Sequence, residues 1–248
     1  MSMNFKAVLD EVTFFRDSIA TISELIEECQ LKVKKNGIEL VASDRAVVAV
    51  VDFKFSAKNF REYHHESDVA IGVNLESFLQ VLKRAKSSDI LQMEVDENKL
   101  ILTLKGEATR RFTLPLLDIR EEVPQGIEKL AFPVKVEIPS DTLEDGIEDA
   151  ELVSDALTIE VSKNEVVLKA EGDSSATELR IPSDKIKISG EKSVKASYSL
   201  DYLKKMIKGS KISENVILEL DTNYPLRMTF ARASDVMLSF ILAPRIEE

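Results

Sequence analysis

The sequence predicts an α+β fold of two similar halves, each built from antiparallel strands and two helices. Three observations carry this. Two stretches of the first half align without a gap over two stretches of the second, in the same order and at nearly the same shift. Strand-like alternation outnumbers helical periodicity along the chain. A segment containing Pro124, Gly126 and Pro133 separates the halves and shows little periodicity before Val134.

The repeat is explicit. "LESFLQVLKRAKSSDILQMEVDEN" (75–98) lies over "LDYLKKMIKGSKISENVILELDTN" (200–223) at a shift of 125 residues. Leu75/Leu200, Lys83/Lys208, Lys86/Lys211, Ser88/Ser213, Glu94/Glu219, Asp96/Asp221 and Asn98/Asn223 are identical pairs. "LKVKKNGIELVA" (31–42) lies over "IEVSKNEVVLKA" (159–170) at a shift of 128 residues. One such match arises by chance between amphipathic segments; two in order point to duplication.

Each half then reads alike. A helix opens it, "TFFRDSIATISELIEEC" (13–29) in the first and "SDTLEDGIEDAELVSD" (140–155) in the second. Strands follow: "LKVKKNGIELVAS" with a hairpin signal at Asn36-Gly37, then the β-branched run 46–55. A second helix comes next, 75–86 and 200–209, behind the N-caps Asn74 and Ser199. Phe78, Leu79 and Leu82 share one face of the former, as Leu203, Met206 and Ile207 do of the latter. More strands close each half, 91–116 and 216–242. The expected boundaries are domain 1 at 1–117, a connector at 118–134 and domain 2 at 135–248.

Composition narrows the function classes. Apolar residues are 44% of the 248 and charged residues 31%, so a packed core is expected rather than disorder. No apolar run approaches the length that spans a bilayer, and the first residues lack a basic region followed by an apolar stretch. The single cysteine, Cys29, fits a reducing cytoplasm. His64 and His65 are adjacent, so they point to opposite faces of a strand and share no metal readily; no metal or cofactor is expected.

With 33 Lys+Arg against 44 Asp+Glu, formal net charge −11, the chain as a whole repels nucleic acid. Yet the helix from Leu200 carries Lys204, Lys208 and Lys211 within roughly 60° of one another at ~100° per residue. Lys83, Arg84 and Lys86 repeat this basic ridge in the first half. A solvated face is the ordinary explanation of a charge run; its repetition at equivalent positions argues for more.

Two similar α+β halves, a Pro-containing connector after "TLPLLDI", the helix "GVNLESFLQVLKRAK" and the ending "LAPRIEE" resemble the sliding clamps, the archaeal and eukaryotic proliferating cell nuclear antigens, and the archaeal type most closely. The resemblance spans essentially the whole chain. It implies three subunits closed head to tail around duplex DNA, with sheets outside, helices lining the hole, and no sequence readout. Positions matching hole-lining basic residues are Arg16, Lys83 and Lys208; Arg84, Lys86, Lys204 and Lys211 join them by helical phase. The third helix departs from the family: Glu144, Asp145, Glu148 and Asp149 stand where relatives carry basic residues. The resemblance sets this helix beside a neighbouring subunit's Lys83, Arg84, Arg110 and Arg111, so acid is expected to meet base there. It also implies that the edge strand with Thr109, Arg110, Arg111 and Phe112 pairs with a neighbour's strand containing Thr177 and Leu179.

Clamps of this kind dock a short peptide carrying a Gln, an aliphatic residue and two aromatics. Matching positions here are Ser43, Val47, Val48, Ile127, Pro225, Ala243, Pro244 and Ile246, with Ser43 and Arg45 departing from the family's Met and Pro. The implied partners are duplex DNA, two further copies of the chain as a homotrimer, DNA polymerase, a clamp loader, flap endonuclease and DNA ligase, in a cytoplasmic, nucleoid-associated setting with no membrane. The expected function is thus a replication and repair processivity factor and not an enzyme. One alternative is a specialised subunit of a mixed ring or a monomeric variant. A more distant one is a hydrolase using Glu144, Glu148 or Asp149 as its carboxylates.

Overall fold

The computed structural model describes residues 5–120, 124–233 and 235–246. The chain order is β1 Phe5–Leu9, α1 Thr13–Ile22, β2 Glu28–Lys34, β3 Gly37–Ser43, β4 Ala49–Ser56, β5 Glu62–His65, β6 Val69–Asn74, α2 Leu75–Leu82, β7 Ile90–Asp96, β8 Lys99–Lys105 and β9 Thr109–Pro115. It continues with β10 Val134–Pro139, α3 Ser140–Glu151, β11 Ala156–Val161, β12 Glu165–Glu171, β13 Ala176–Pro182, β14 Lys187–Ser189, β15 Val194–Ser199, α4 Leu200–Met206, β16 Asn215–Leu220, β17 Leu226–Arg232 and β18 Val236–Leu242. The second series repeats the first element for element, as the two ordered sequence matches require.

The chain divides into two compact units. One comprises residues 1–43, 51–123 and 232–238; the other comprises 44–50, 124–231 and 239–248. In the first, β5-β1-β7-β8-β9 form one antiparallel sheet, and β4-β3-β2-β6 follow one another in a second. In the other, β13-β12-β11-β15 form one sheet, and β14-β10-β16-β17 are hydrogen-bonded neighbours. β4 and β18 each have residues in both units. In the first unit Ser56 N–H donates to the Asp235 carbonyl at 2.8 Å, and in the second Ala243 N–H donates to the Val48 carbonyl at 2.9 Å.

Alternation dictates the strands. Cys29, Leu31 and Val33 point into the core from β2, as Leu157, Ile159 and Val161 do from β11. In the first unit Phe15 of α1 packs on Phe55 with ring centroids 5.0 Å apart and on Phe78 of α2 at 6.0 Å. In the second, α3 buries Leu143, Ile147 and Ala150 and packs alongside α4. Burying each such aliphatic side chain stabilises by about 1.5–3 kcal/mol.

The structure revises several boundaries. The first helix ends at Ile22, and Glu28 and Cys29 already belong to β2. The hairpin centres on Lys35-Asn36, because Lys34 pairs with Gly37. Gly37, at φ 136°, is instead required by close approach: a Cβ there would sit 2.0 Å from the Phe55 carbonyl oxygen. The β-branched run is not extended from residue 46; it turns, and β4 begins at Ala49. α2 stops at Leu82, where the Lys83 and Arg84 amides finish the last turn on the Leu79 and Val81 carbonyls. Asn74 caps α2 by accepting from the Ser77 amide at 3.0 Å, whereas Ser199 makes no side-chain cap.

The lysine helix is α4 followed by a 3-10 turn, Ile207–Lys211. Its tight winding places Lys208 and Lys211, three residues apart, on one side. Gly209 makes this possible: a Cβ there would lie 2.4 Å from Cδ2 of the fully buried Phe230 ring. Replacing Gly209 with Val should therefore destabilise the protein by about 1–3 kcal/mol through overpacking, read as a lower urea midpoint with an unchanged slope.

Candidate nucleic-acid and partner-docking surfaces

Of the basic residues singled out from the sequence, Lys83, Arg84, Lys86, Lys204, Lys208 and Lys211 are exposed, and Arg16 is half-buried. Lys83 and Arg84 close the last turn of α2, whereas Lys86 lies beyond it, where helical phase does not orient it. Instead the buried Asp89 carboxylate, 3% exposed, accepts from the Lys86 amide at 2.8 Å and fixes that corner. Some of the cations already face acid within the chain: Arg16 lies on Asp17 at 3.0 Å, Lys86 on Glu107 at 3.6 Å, and Lys204 on Glu151 of α3. Exposed pairs of this kind are worth about 0–1 kcal/mol each, so an approaching phosphate competes with them readily.

On α3, Asp145, Glu148 and Asp149 are exposed and Glu144 is half-buried. None of the four makes an ion pair with a described residue, while Glu151, one turn on, takes Lys204. Among the cations expected to meet these acids from a neighbouring subunit, Arg110 is committed elsewhere. Its guanidinium bonds the Asp89 carboxylate and the Arg84 carbonyl of its own chain. Lys83, Arg84 and Arg111 remain exposed.

Both strands expected at a subunit boundary are sheet edges. β9 ends its sheet beside β8, and β13 ends its sheet beside β12. Arg110, Phe112 and Leu114 alternate as the half-buried residues of β9, and Thr177 and Leu179 as those of β13, with Thr109, Arg111, Glu178 and Arg180 outward.

Of the expected peptide-docking residues, those of the tail, the Pro225 turn and the Val47–Val48 loop gather, in the second unit, on the Ser197–Tyr202 stretch of β15 and α4. Ser197 accepts the Arg245 amide on its carbonyl at 2.7 Å, which ties down the tail carrying Ala243, Pro244 and Ile246. Tyr198 donates its hydroxyl to the Tyr224 carbonyl at 2.8 Å and so holds the turn containing Pro225. Tyr202 donates to Asp44 Oδ2 at 2.8 Å and reaches the loop of Val47 and Val48. Phe132, at the end of the connector, stacks edge-on to Tyr224 at 5.7 Å. Ile127 lies in a short 3-10 turn, 127–129, bonded within itself. Ser43 is the half-buried last residue of β3. Connector residues 121–123 lie outside the described residues.

Asp44 is the knot of this surface. Only 8% exposed, its carboxylate accepts from Ala49 N at 2.7 Å, Val48 N at 2.8 Å, Ala46 N at 3.2 Å and the Tyr202 hydroxyl. Val47 is thereby held at φ 57°, a conformation costing a β-branched residue on the order of 1–3 kcal/mol. Its side chain is 60% exposed, and Ile246 in the tail is 80% exposed; Leu152 is the only other large apolar side chain so exposed among the described residues. Burial pushes the Asp44 carboxyl up, but the four hydrogen bonds outweigh it and hold the group below its ordinary value. Burial and the bond to Asp44 push the Tyr202 phenol up to about 12.

Comparison with known proteins decides what this architecture is. The model of the proliferating cell nuclear antigen N-terminal domain matches residues 4–122, and that of its C-terminal domain matches residues 126–245. The chain belongs to the proliferating cell nuclear antigen family. Similar relatives include the DNA polymerase sliding clamp 1 of Thermococcus kodakarensis, 37% identical over 250 residues covering 99% of this chain and all of that one. The DNA polymerase sliding clamp of Pyrococcus furiosus is 33% identical over the same shares of the two chains. Among solved structures, PCNA from Thermococcus kodakaraensis superposes with a TM-score of 0.88 at 28% identity, covering 97% of this chain and all of that one. A chain of the PCNA2–PCNA3 complex from Sulfolobus tokodaii gives 0.89 at 26% identity over 98% of this chain and all of its own.

Sequence reading missed the residues that organise this family's surface here. Asp44, Ser197, Tyr198 and Tyr202 were absent from the expected sites, since nothing local marks an aspartate as the partner of a tyrosine 158 positions on. The "SDRAVV" loop carried one usable signal: an Asp followed by a short tip is the composition of an Asx turn.

The lowered Asp44 carboxyl fixes a pH dependence. Its stabilisation is fully present above the unfolded value of ~3.9 and is lost as pH falls through the lower folded value. Wild type should therefore exceed Asp44→Asn by about 1–3 kcal/mol at pH 7, and the gap should shrink as pH drops below ~4. Urea unfolding across this range checks it.

Proposed function

We propose that this protein is a DNA sliding clamp: a ring of three copies that encircles duplex DNA and tethers replication and repair enzymes, without catalysis of its own. Family membership across both domains carries the reading. The domain boundaries proposed are 1–117 and 135–248, with the connector 118–134 between them. The exposed cations Lys83, Arg84, Lys86, Lys204, Lys208 and Lys211, with Arg16, are proposed to face the phosphates. They are mobile point charges, suited to sequence-independent contact that permits sliding. The net charge of −11 disfavours contact elsewhere.

Closure is proposed between β9 of one copy and β13 of the next. Internal duplication supports this. The inward-facing alternation of the strands sets Phe112 of β9 over Phe240 of β18 (240 − 112 = 128) and Leu179 of β13 over Phe53 of β4 (179 − 53 = 126). The Ser56–Asp235 and Val48–Ala243 bonds put β4 and β18 in one antiparallel register. β9 and β13 are the equivalent strands, and both are open edges. Carrying the register across sets Thr177 of one copy opposite Phe112 of the next, and Leu179 opposite Arg110. The alternating half-buried positions Arg110, Phe112 and Leu114 then meet Thr177 and Leu179 on one face. On this reading Lys83, Arg84 and Arg111 approach Glu144, Asp145, Glu148 and Asp149 of the neighbour, which fixes partner choice more than affinity.

The apolar surface of Val47, Val48, Pro225, Ala243, Pro244 and Ile246, bordered by Ser43 and the connector with Ile127, is proposed to dock short peptides of polymerase, clamp loader, flap endonuclease and ligase. Exposed Val47 and Ile246 support this, since apolar side chains gathered on one surface mark an interaction site.

Light scattering on a sizing column is the test. A mass near three times 27.8 kDa is expected. Phe112→Ala and Leu179→Ala should each shift the protein toward 27.8 kDa at low concentration, while circular dichroism stays that of the folded chain. A second reading is a subunit of a mixed ring, favoured by the likeness to a chain of the PCNA2–PCNA3 complex. A wild-type mass of 27.8 kDa would support it over self-closure. Charge reversal at Glu148 that left assembly unchanged at low salt would remove the proposed pairing of acid with base.

A further inference from the structure

The loop of Asp44–Val48 spends backbone strain to expose an apolar side chain. Backbone bonds run from the Val47 amide to the Asp44 carbonyl and from the Asp44 amide to the Ala49 carbonyl. Beside these, the Asp44 carboxylate takes four, three of them from the nearby amides of Ala46, Val48 and Ala49. The fourth is the Tyr202 hydroxyl, the one partner of that carboxylate from outside the loop among the described residues. Tyr202 belongs to α4, whose core face, Leu203 and Met206, is fully buried, so its phenol is presented from a rigid element. The Lys205 ammonium lies 5.7 Å from the centre of its ring.

The carboxylate has two sides with separate duties. Oδ1 takes the Val48 and Ala49 amides, and Oδ2 takes Tyr202 and the longer contact from Ala46. Without the phenol, Oδ2 keeps only that longer contact, and the carboxylate is anchored through Oδ1 alone, to the Val48 amide and to Ala49 at the start of β4. Val47 would then relax toward the right-handed or extended region that a β-branched residue prefers.

We propose that Tyr202 is a positioning residue of the docking surface: through Asp44 it holds Val47 in the left-handed conformation that stands its side chain at the rim. The inference rests on the reading of this surface as a peptide-docking site. A partner peptide then meets a formed rim and does not bear the cost of ordering it. Because Tyr202 shares α4 with Lys204, the element proposed to face DNA also sets the shape of the element proposed to receive partners.

The experiment uses the full chain, a fluorescent peptide carrying a Gln, an aliphatic residue and two aromatics, and amide hydrogen exchange at Val48 and Ala49. Tyr202→Phe should weaken the peptide roughly fivefold and speed exchange of those amides by a similar factor, with the solution mass unchanged. Asp44→Asn, whose amide nitrogen cannot accept on the Oδ2 side, should do the same. The double variant should be no worse than Asp44→Asn alone, because that change already removes the bond to Tyr202. Val47→Gly supplies the decisive background, since glycine rests at φ 57° unaided. There Tyr202→Phe should change affinity by less than about twofold. An equal loss in that background would overturn the inference, as would a Tyr202→Phe protein with wild-type affinity and exchange. Wild-type protein that ignores the peptide would overturn the docking reading and the positioning role with it. Wild-type binding alongside a neutral Tyr202→Phe would sink the positioning role alone.

Discussion

A sheet edge is a row of backbone donors and acceptors that water satisfies only until another strand arrives. That constraint governs this molecule at two scales. Within the chain, the bonds at Ser56–Asp235 and Val48–Ala243 close the edges of β4 and β18. Their duplicates, β9 and β13, remain open at the ends of their sheets. Duplication therefore leaves a pair of equivalent edges open, and closure of copies upon one another is the proposed way to satisfy them. The helices follow from the same plan, since a sheet with one apolar face needs a cover, and α1 with α2, or α3 with α4, supplies it.

Charge is distributed against this background. The basic side chains are exposed at helix ends and turns, while α3 carries acid and lends Glu151 to Lys204. Intramolecular neutralisation of this kind moderates a basic surface without abolishing it. Arg110 is engaged differently: it fastens the corner between α2 and β7 through Asp89 and the Arg84 carbonyl.

Much of the fold was legible because it was written twice. Repeats at shifts of 125 and 128 residues located the duplication, and alternation marked Leu31, Val33, Ile159 and Val161 as inward-facing. Helix ends were not legible: periodicity extended the first helix through Cys29, where packing places a strand. The Val47–Val48 pair read as strand by β-branching, yet Asp44 overrides that preference with four hydrogen bonds. The exposed lysines were legible as a ridge, although the 3-10 turn, not an ideal helix, aligns Lys208 with Lys211. The residues that gather the apolar surface were hidden, because Tyr198, Tyr202 and Ser197 act over long sequence separations that no local pattern records. The chemistry was visible as family likeness; the scaffolding behind it was visible only in three dimensions.

The proposed pairing of β9 with β13 between copies would differ kinetically from the pairing of β4 with β18. The β4–β18 pairing is tethered through the chain, so a parted contact re-forms at an effective concentration set by the polymer. A β9–β13 pairing between copies has a tether only while the rest of the ring remains closed. Once two such joints have parted, a subunit is lost to bulk dilution, whereas an opened inner pairing is not. Rupture and repair of an assembly built this way would therefore concentrate at the edge defined by Phe112 and Leu179, and a machine that opens it need act at no other strand.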